Sequence, residues 1–298
     1  MAKADAAARL VIQAAAAKPS SKTSKPKNKN EKTKKQPPAK PAPKLTARTK
    51  SSVKAKPSRA PEETKTSPPK PIELHYWPTP NGWKIAIMLE ECALPYEVRP
   101  VNIGKGDQFQ PTFLAIAPNN RMPAIVDPEG PGGKPISVFE SGAILQYLGR
   151  KTGKFYPADE RGRVEVDQWL FWQVGGVGPM AGQVHHFKNY ARETISYAIA
   201  RYVDEVNRLY GVMNKRLADR AFLAGKYSIA DMACVGWVNG WEKQGQDIET
   251  FPHLKRWLAT MKARPAVQRG MALGLELRQG IDMKDPKVQA VLFGQRAR

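Results

Sequence analysis

Three short stretches combine residue types and spacings that could do chemistry, and none of them contains a cysteine. Pro78-Thr79-Pro80-Asn81 joins a strand-like run ending at Trp77 to a helix-like run starting near Gly82. The first N–H groups of a helix lack intrahelical partners and carry the positive end of its dipole. Thr79 or Asn81 can cap such a start, and a side-chain donor there can stabilise an anion brought by a ligand. A plain N-cap explains the same residues. Met122-Pro123 opens another strand after Asn119-Asn120-Arg121. Proline entering a strand there fits a tight, cis-compatible connection that leaves the Met122 N–H and C=O unpaired by the sheet. An extended peptide-like ligand could take up those groups; an ordinary edge-strand start is the alternative. Glu140-Ser141 stands at a strand-to-helix junction. Ser141 as N-cap, with free N–H groups behind it, suits a carboxylate, and Glu140 suits an ammonium. Together they suit an α-amino-acid head group, although a capping serine alone reads the same way.

The elements that position these residues follow from periodicity. IELHYW alternates as a strand, and GWKIAIMLEECA places Ile85, Met88, Leu89 and Cys92 on one helical face. YEVRPV, RMPAIVD and PISVFE read as three further strands, and SGAILQYLGRKTG as a helix with Ile144, Leu145 and Leu148 inward and Gly153 as its stop. The resulting order, β-α-β-loop-β-β-α, is a compact α/β unit with a small mixed sheet. After Tyr156-Pro157 only helical patterns recur. One of them, TISYAIARYVDEVNRLYGVMNKRLAD, spaces Ile195, Ile199, Tyr202, Val206, Leu209, Met213 and Leu217 by fours and threes. Another, SIADMACVGWVNGW, opens with Ser228 three residues before Asp231, a capping-box pattern. The last stretch of the chain is polar and reads as wrapping the surface or fraying.

Charge divides the chain. It carries 48 Lys+Arg against 27 Asp+Glu over 298 residues, a formal charge of +21. Residues 1–70 hold 16 Lys and 3 Arg against 4 acids, a balance of +15, with ten prolines and no aromatic residue. Such a segment cannot bury enough apolar surface to offset its ordering entropy, so it reads as a disordered basic tail. The acid-poor start leaves an organelle presequence open, though Arg9 is its single arginine before residue 48. The remainder is long enough for a substantial core. Cys92 and Cys234 stand far apart in apolar runs. They make neither a disulfide framework nor a metal site and fit a reducing, cytoplasmic compartment. No run approaches the ~18 apolar residues of a membrane span.

Seven motifs in order, TPNG, NIGKGDQF, PNNRMPAIVD, FESGAILQYL, WLFWQVGGVGPM, YAIARY and YSIADMA, make residues 72 to about 270 resemble the bacterial nu-class glutathione transferases. That group includes glutathione-dependent disulfide-bond oxidoreductases. The resemblance implies α/β plus all-α architecture: a thioredoxin-like glutathione-binding domain at 71–155 and an all-helical domain at 156–275. A tail at 1–70 precedes them and a C-terminal extension at 276–298 follows. It implies that Thr79 and Asn81 sit by the sulfur of glutathione, the co-substrate, with no metal required. Gln108 and the Met122 backbone before Pro123 would hold the peptide, Glu140 and Ser141 the γ-glutamyl end. Arg201 would reach a glutathione of the partner subunit in a homodimer. On this reading the small polar groups serve a sulfur that the ligand supplies.

Other features weigh less. Tyr76 precedes the loop and reads as packed. Gly176-Val177-Gly178 with Gly182 mimics a dinucleotide fingerprint but lies in a helical run, where a kink or close helix contact explains it better. His185 and His186 are adjacent and cannot share a helix face; they read as buried structural residues or pocket lining. Arg201 without the resemblance reads as solvated helix surface. The basic tail suits non-specific contact with a polyanion, or mere solvation. Three functions follow. The favoured one is glutathione-dependent reduction of small disulfides or peroxides. A second is conjugation of an electrophile held by the Trp169-to-Phe187 helix. The third is a non-catalytic glutathione-site binding protein.

Overall fold

The computed structural model describes residues 69–279 and 282–296. The sequence-predicted tail therefore lies outside the described residues, except for its last two. Strand β1 (Ile72–Tyr76) leads through Thr79 into α1 (Pro80–Cys92), followed by β2 (Tyr96–Pro100), the single turn α2 (Pro111–Leu114), β3 (Ala124–Asp127), β4 (Ile136–Phe139) and α3 (Ser141–Thr152). The strands form one sheet in the order β2-β1-β3-β4. β1 runs parallel to β2, with Leu74 opposite Val98, and antiparallel to β3, with Leu74 opposite Ile125; β3 and β4 are antiparallel, with Ile125 opposite Val138. This is the expected thioredoxin-like mixed sheet.

The helical half comprises α4 (Glu160–Trp172), α5 (Gly178–Val184), α6 (Ser196–Arg216), α7 (Ile229–Val238), α8 (Pro252–Lys262), α9 (Pro265–Ala272) and α10 (Pro286–Phe293). No helix among the described residues is long and apolar enough to cross a membrane.

Thr79 caps α1 by accepting from the Gly82 N–H at 3.3 Å, and Pro80 occupies the first helical position, where a missing N–H costs nothing. The helix therefore starts two residues earlier than periodicity suggests. Its predicted face, Ile85, Met88, Leu89 and Cys92, is buried, but so are Ala86 and Ile87. The reason is α9 on the far side. A Cβ placed on Gly270 would lie 2.7 Å from the Ile87 nitrogen, so the two helices meet backbone to backbone.

The larger core runs from Ile72 in the sheet to Val267 in α9 and includes Trp257, Tyr210 and Leu145, and a smaller cluster gathers Val101, Phe113, Ala117 and Ala124. At α7 the capping box is present, with Ser228 and Asp231 each bonding the other's backbone end. Asp231 is fully buried and accepts from the Leu223 and Ser228 N–H groups and from the Trp257 indole at 2.9 Å. Even so, burial raises its pKa to about 6. In α6 the predicted stripe is buried only in its C-terminal half, at Val206, Leu209, Met213 and Leu217; Ile195 stays exposed. The described residues of the C-terminal extension pack against the fold. α10 docks on the helical half, its Phe293 ring 4.6 Å from that of His186.

Candidate functional site

The three predicted stretches meet around the first turns of α1. Thr79 accepts from Gly82 through its hydroxyl oxygen and turns its proton toward the Met122 sulfur at 3.6 Å. That contact ties the helix start to the loop before Pro123, whose bond to Met122 is cis. The paired register of β3 stops at Ala124, leaving Met122 beyond the last ladder partner. Gly82 is required at this crossing, because a Cβ there would sit 2.3 Å from the Trp77 carbonyl and 2.8 Å from the Tyr76 ring.

Asn81 lies inside the first turn, and its Oδ1 accepts from the Trp237 indole N–H at 3.2 Å. An indole can only donate, so the amide is oriented with its NH2 group as the free end. α7 thereby sets the direction of a side chain on α1.

One turn further along α1 stands Lys84, which the sequence reading did not single out. It is 2 % exposed, and its Nζ donates to Gln173 Oε1 at 2.6 Å and to Ser141 Oγ at 3.2 Å. Burial lowers its pKa to about 8, against the pull of the Cys234 thiol and Glu140. A lysine inside an apolar-looking helix face is the only sequence signal of this link.

Ser141 is not the N-cap that was expected. Glu140 holds that position with φ 68°, and Ser141 is the first helical residue, its hydroxyl engaged by Lys84. The positive φ at Glu140 displaces the cap by one residue and leaves its carboxylate exposed, where it accepts from Asn119 Nδ2 at 3.3 Å.

Gln108 is 2 % exposed, donates to the Ile103 carbonyl and leaves its Oε1 buried without a hydrogen-bond partner. Arg201 is on the exposed face of α6, 3.8 Å from Glu205, away from the other site residues' hydrogen-bond network. Tyr76 is fully buried, donates to the Leu273 carbonyl at 3.0 Å, and burial raises its pKa well above the phenol range. Cys92 and Cys234 are buried, and burial raises both thiols. Neither is poised as a thiolate. Among the described residues no cluster of three or more His, Cys, Asp or Glu could hold a metal ion.

A cavity of about 600 Å³ opens in front of Thr79. Its lining includes Trp77, Pro78, Thr79 and Trp83 around the start of α1, Trp237, His185 and Tyr190 of the helical half, and Arg278, Met283, Leu292 and Phe293 of the C-terminal extension. Of the predicted site residues only Thr79 lines it. The Trp169-to-Phe187 helix contributes only its end, Gly182 and His185. Trp169 instead packs on Trp172 and under Arg216.

The glycine-rich run is a π-helical turn, Gln173–Val177, leading into α5. A Cβ on Gly178 would come within 2.9 Å of Gln173 Nε2 and 3.4 Å of Trp237 Nε1, so the kink and the close helix contact both exist. Burial lowers the His185 pKa, with Lys243 and Arg278 adding to the effect.

Residues 71–150 match the glutathione S-transferase N-terminal domain and residues 190–265 the C-terminal domain. The disulfide-bond oxidoreductase YfcG of Escherichia coli K12 is 53% identical over 204 residues, 68% of this chain and 94% of that protein. A Burkholderia graminis glutathione transferase with two glutathione molecules bound per subunit superposes with a TM-score of 0.66 at 45% identity. That match covers 69% of this chain and 89% of the other. A Pseudomonas putida glutathione transferase with one glutathione disulfide bound per subunit gives a TM-score of 0.66 at 42% identity, covering 72% and 94%. The chain belongs to the glutathione S-transferase family.

Proposed function

We propose that this chain is a glutathione-dependent thiol-disulfide oxidoreductase of the transferase family, with glutathione as co-substrate. The observation that carries the reading is the start of α1. Thr79 caps the helix, contacts the Met122 loop and faces a cavity large enough for a second molecule. Helix N–H groups and a hydroxyl or amide donor there lower a ligand thiol from ~8.5 toward neutrality and raise its thiolate fraction. In the exchange, the glutathione thiolate attacks one sulfur of a small disulfide and expels the other as thiolate. A second glutathione then displaces the remaining thiol, giving glutathione disulfide and two reduced thiols, with both protons coming from the two glutathiones.

Thr79 and the Asn81 amide would face the sulfur, the Met122 main chain before Pro123 would hold the peptide, and Glu140 and Ser141 would hold the γ-glutamyl head. Gln108 would act through the loop it braces at Ile103. Residues 71–155 would then bind glutathione, 156–275 would shape the co-substrate cavity, and 276–298 would close it. The relatives solved with two glutathiones or with glutathione disulfide support this reading. Arg201, exposed on α6, would serve the ligand of the other subunit in a homodimer. The basic tail would contact polyanions, and two unpaired buried thiols suit the cytoplasm.

The aromatic lining of the cavity favours a second activity, conjugation of an electrophile. A side-by-side assay of purified protein with glutathione, a small dialkyl disulfide and a model aryl halide tests both. Glutathione binding in calorimetry and disulfide turnover above the uncatalysed rate are expected. No binding at millimolar glutathione overturns the reading, and brisk aryl-halide turnover with background disulfide reduction makes conjugation the main activity.

A further inference from the structure

The charge of the cavity identifies a co-substrate class, an inference that rests on the proposed glutathione site. Three cations from three separate segments reach its lining: Arg121 before β3, Lys243 after α7 and Arg278 in the extension. Only one lining acid, Glu242, faces them. Among the described residues none of the three cations makes an ion pair, and Arg121 donates to the neutral Gln295 side-chain amide oxygen at 2.9 Å. Elsewhere Arg208, Arg264 and Arg269 are each paired with an acid, Arg208 with Glu205, Arg264 with Glu91 and Arg269 with Glu90. Cations thus outnumber acids in the lining where a ligand would sit. Lys243 and Arg278 both press the His185 pKa downward, so their fields overlap within the cavity. With Glu242 set against Arg121, Lys243 and Arg278, these charged lining residues balance at two positive charges.

The apolar part of the lining is aromatic. Trp237 crosses the His185 ring edge-on, and Phe293 stacks on Tyr190 at 6.3 Å. The helix α10, which carries Phe293, is held against the helical half. Gln289 of α10 is 8% exposed, accepts from Arg192 Nε at 2.8 Å and donates to the Tyr190 carbonyl at 2.5 Å. Flat aromatic walls select a ring, and unpaired cations at its edge select a negative substituent.

We propose that the co-substrate side of this cavity is specific for aromatic anions: a small disulfide or electrophile whose aromatic ring carries a carboxylate or an equivalent anionic group. Arg278, Lys243 and Arg121 hold the anionic group, and the rings of Trp237, Tyr190 and Phe293 hold the aromatic body.

Two probes differing only in that group test the proposal on the full chain: S-benzylglutathione and S-(4-carboxybenzyl)glutathione, titrated by calorimetry at low and high salt. Both present the same glutathione moiety. The carboxybenzyl compound is expected to bind about tenfold tighter at low salt, with the gap narrowing as salt screens the cations. Arg278→Gln combined with Lys243→Gln should remove most of that gap and leave benzyl binding within about twofold. Equal binding of the two probes overturns the proposal while the glutathione site stands. A preference that survives both substitutions and Arg121→Gln overturns it as well. Failure of the carboxybenzyl probe alone overturns the proposal while the glutathione site stands, and failure of both probes overturns the glutathione reading and this proposal with it.

Discussion

Replacing Lys84 with methionine separates stability from function at the base of the site. The ammonium is buried, and its pKa falls from the ordinary lysine value to about 8. A folded-state value below the unfolded one means that the unfolded chain binds more protons in between. The stability contribution is then complete above the unfolded value of ~10.4 and is lost as the pH falls to about 8. At pH 7 the native state carries roughly 3 kcal/mol of cost for holding this charge. Methionine removes that cost and fills a similar volume. It also strands Gln173 Oε1, which has no other hydrogen-bond partner among the described residues, at about 1–3 kcal/mol. The two effects nearly cancel, so the variant should lie within about 2 kcal/mol of the parent at pH 7. The distinguishing signature is the pH dependence. Between pH 7 and 9.5 the parent should gain about 2 kcal/mol relative to the variant, read from urea unfolding at both values. Meanwhile Ser141 loses the donor that orients its hydroxyl, and the KM for glutathione should rise severalfold. Parallel pH dependences of the two proteins would refute the shifted lysine. A loss above ~4 kcal/mol at pH 7 would show that the ammonium stabilises the fold outright, contrary to this reasoning.

Gly270→Ala should cost about 1–3 kcal/mol in urea unfolding, because its Cβ would meet the Ile87 nitrogen at 2.7 Å and the Ile87 Cα at 2.8 Å, and backbone cannot step aside. An unchanged midpoint would mean that α9 shifts freely on α1. The Cys92→Ala, Cys234→Ala double variant should keep glutathione-dependent disulfide turnover within tenfold of the parent, since both thiols are buried and raised. A larger loss with circular dichroism intact would bring a protein thiol into the chemistry. A shortened chain beginning at Pro71 should keep its glutathione turnover and, by light scattering, remain a dimer. It should lose most of its retention on heparin with the +15 it leaves behind. Unchanged retention would place the polyanion contact on the folded part, and a fully active monomer would remove Arg201 from any role across an interface.

The sequence by itself determined the order of elements and most of what is buried. Alternation in IELHYW and the spacing of Ile144, Leu145 and Leu148 follow from local geometry, since each periodic face must find a core. Ser228 and Asp231 were legible as a capping box because both partners lie within one helical turn. The cap of α1 was legible only as Thr79 or Asn81, and the structure gives it to Thr79. What only the tertiary structure decided involves partners far apart in the chain. The orientation of the Asn81 amide depends on Trp237, 156 residues away, and the hydroxyl of Ser141 on Lys84, 57 residues away. The burial of Ala86 and Ile87 depends on Gly270 lying against them. The cap at α3 falls on Glu140 rather than Ser141 because Glu140 takes a positive φ, and nothing in a glutamate side chain marks it for that conformation. Part of the cavity's lining comes from an extension whose polar composition reads as surface until Gln289 and Phe293 find their places on the helical half. Periodicity reports which face of an element is covered. Which element covers it, and what charge that element brings to the site, is fixed only when chain segments distant in sequence are packed together.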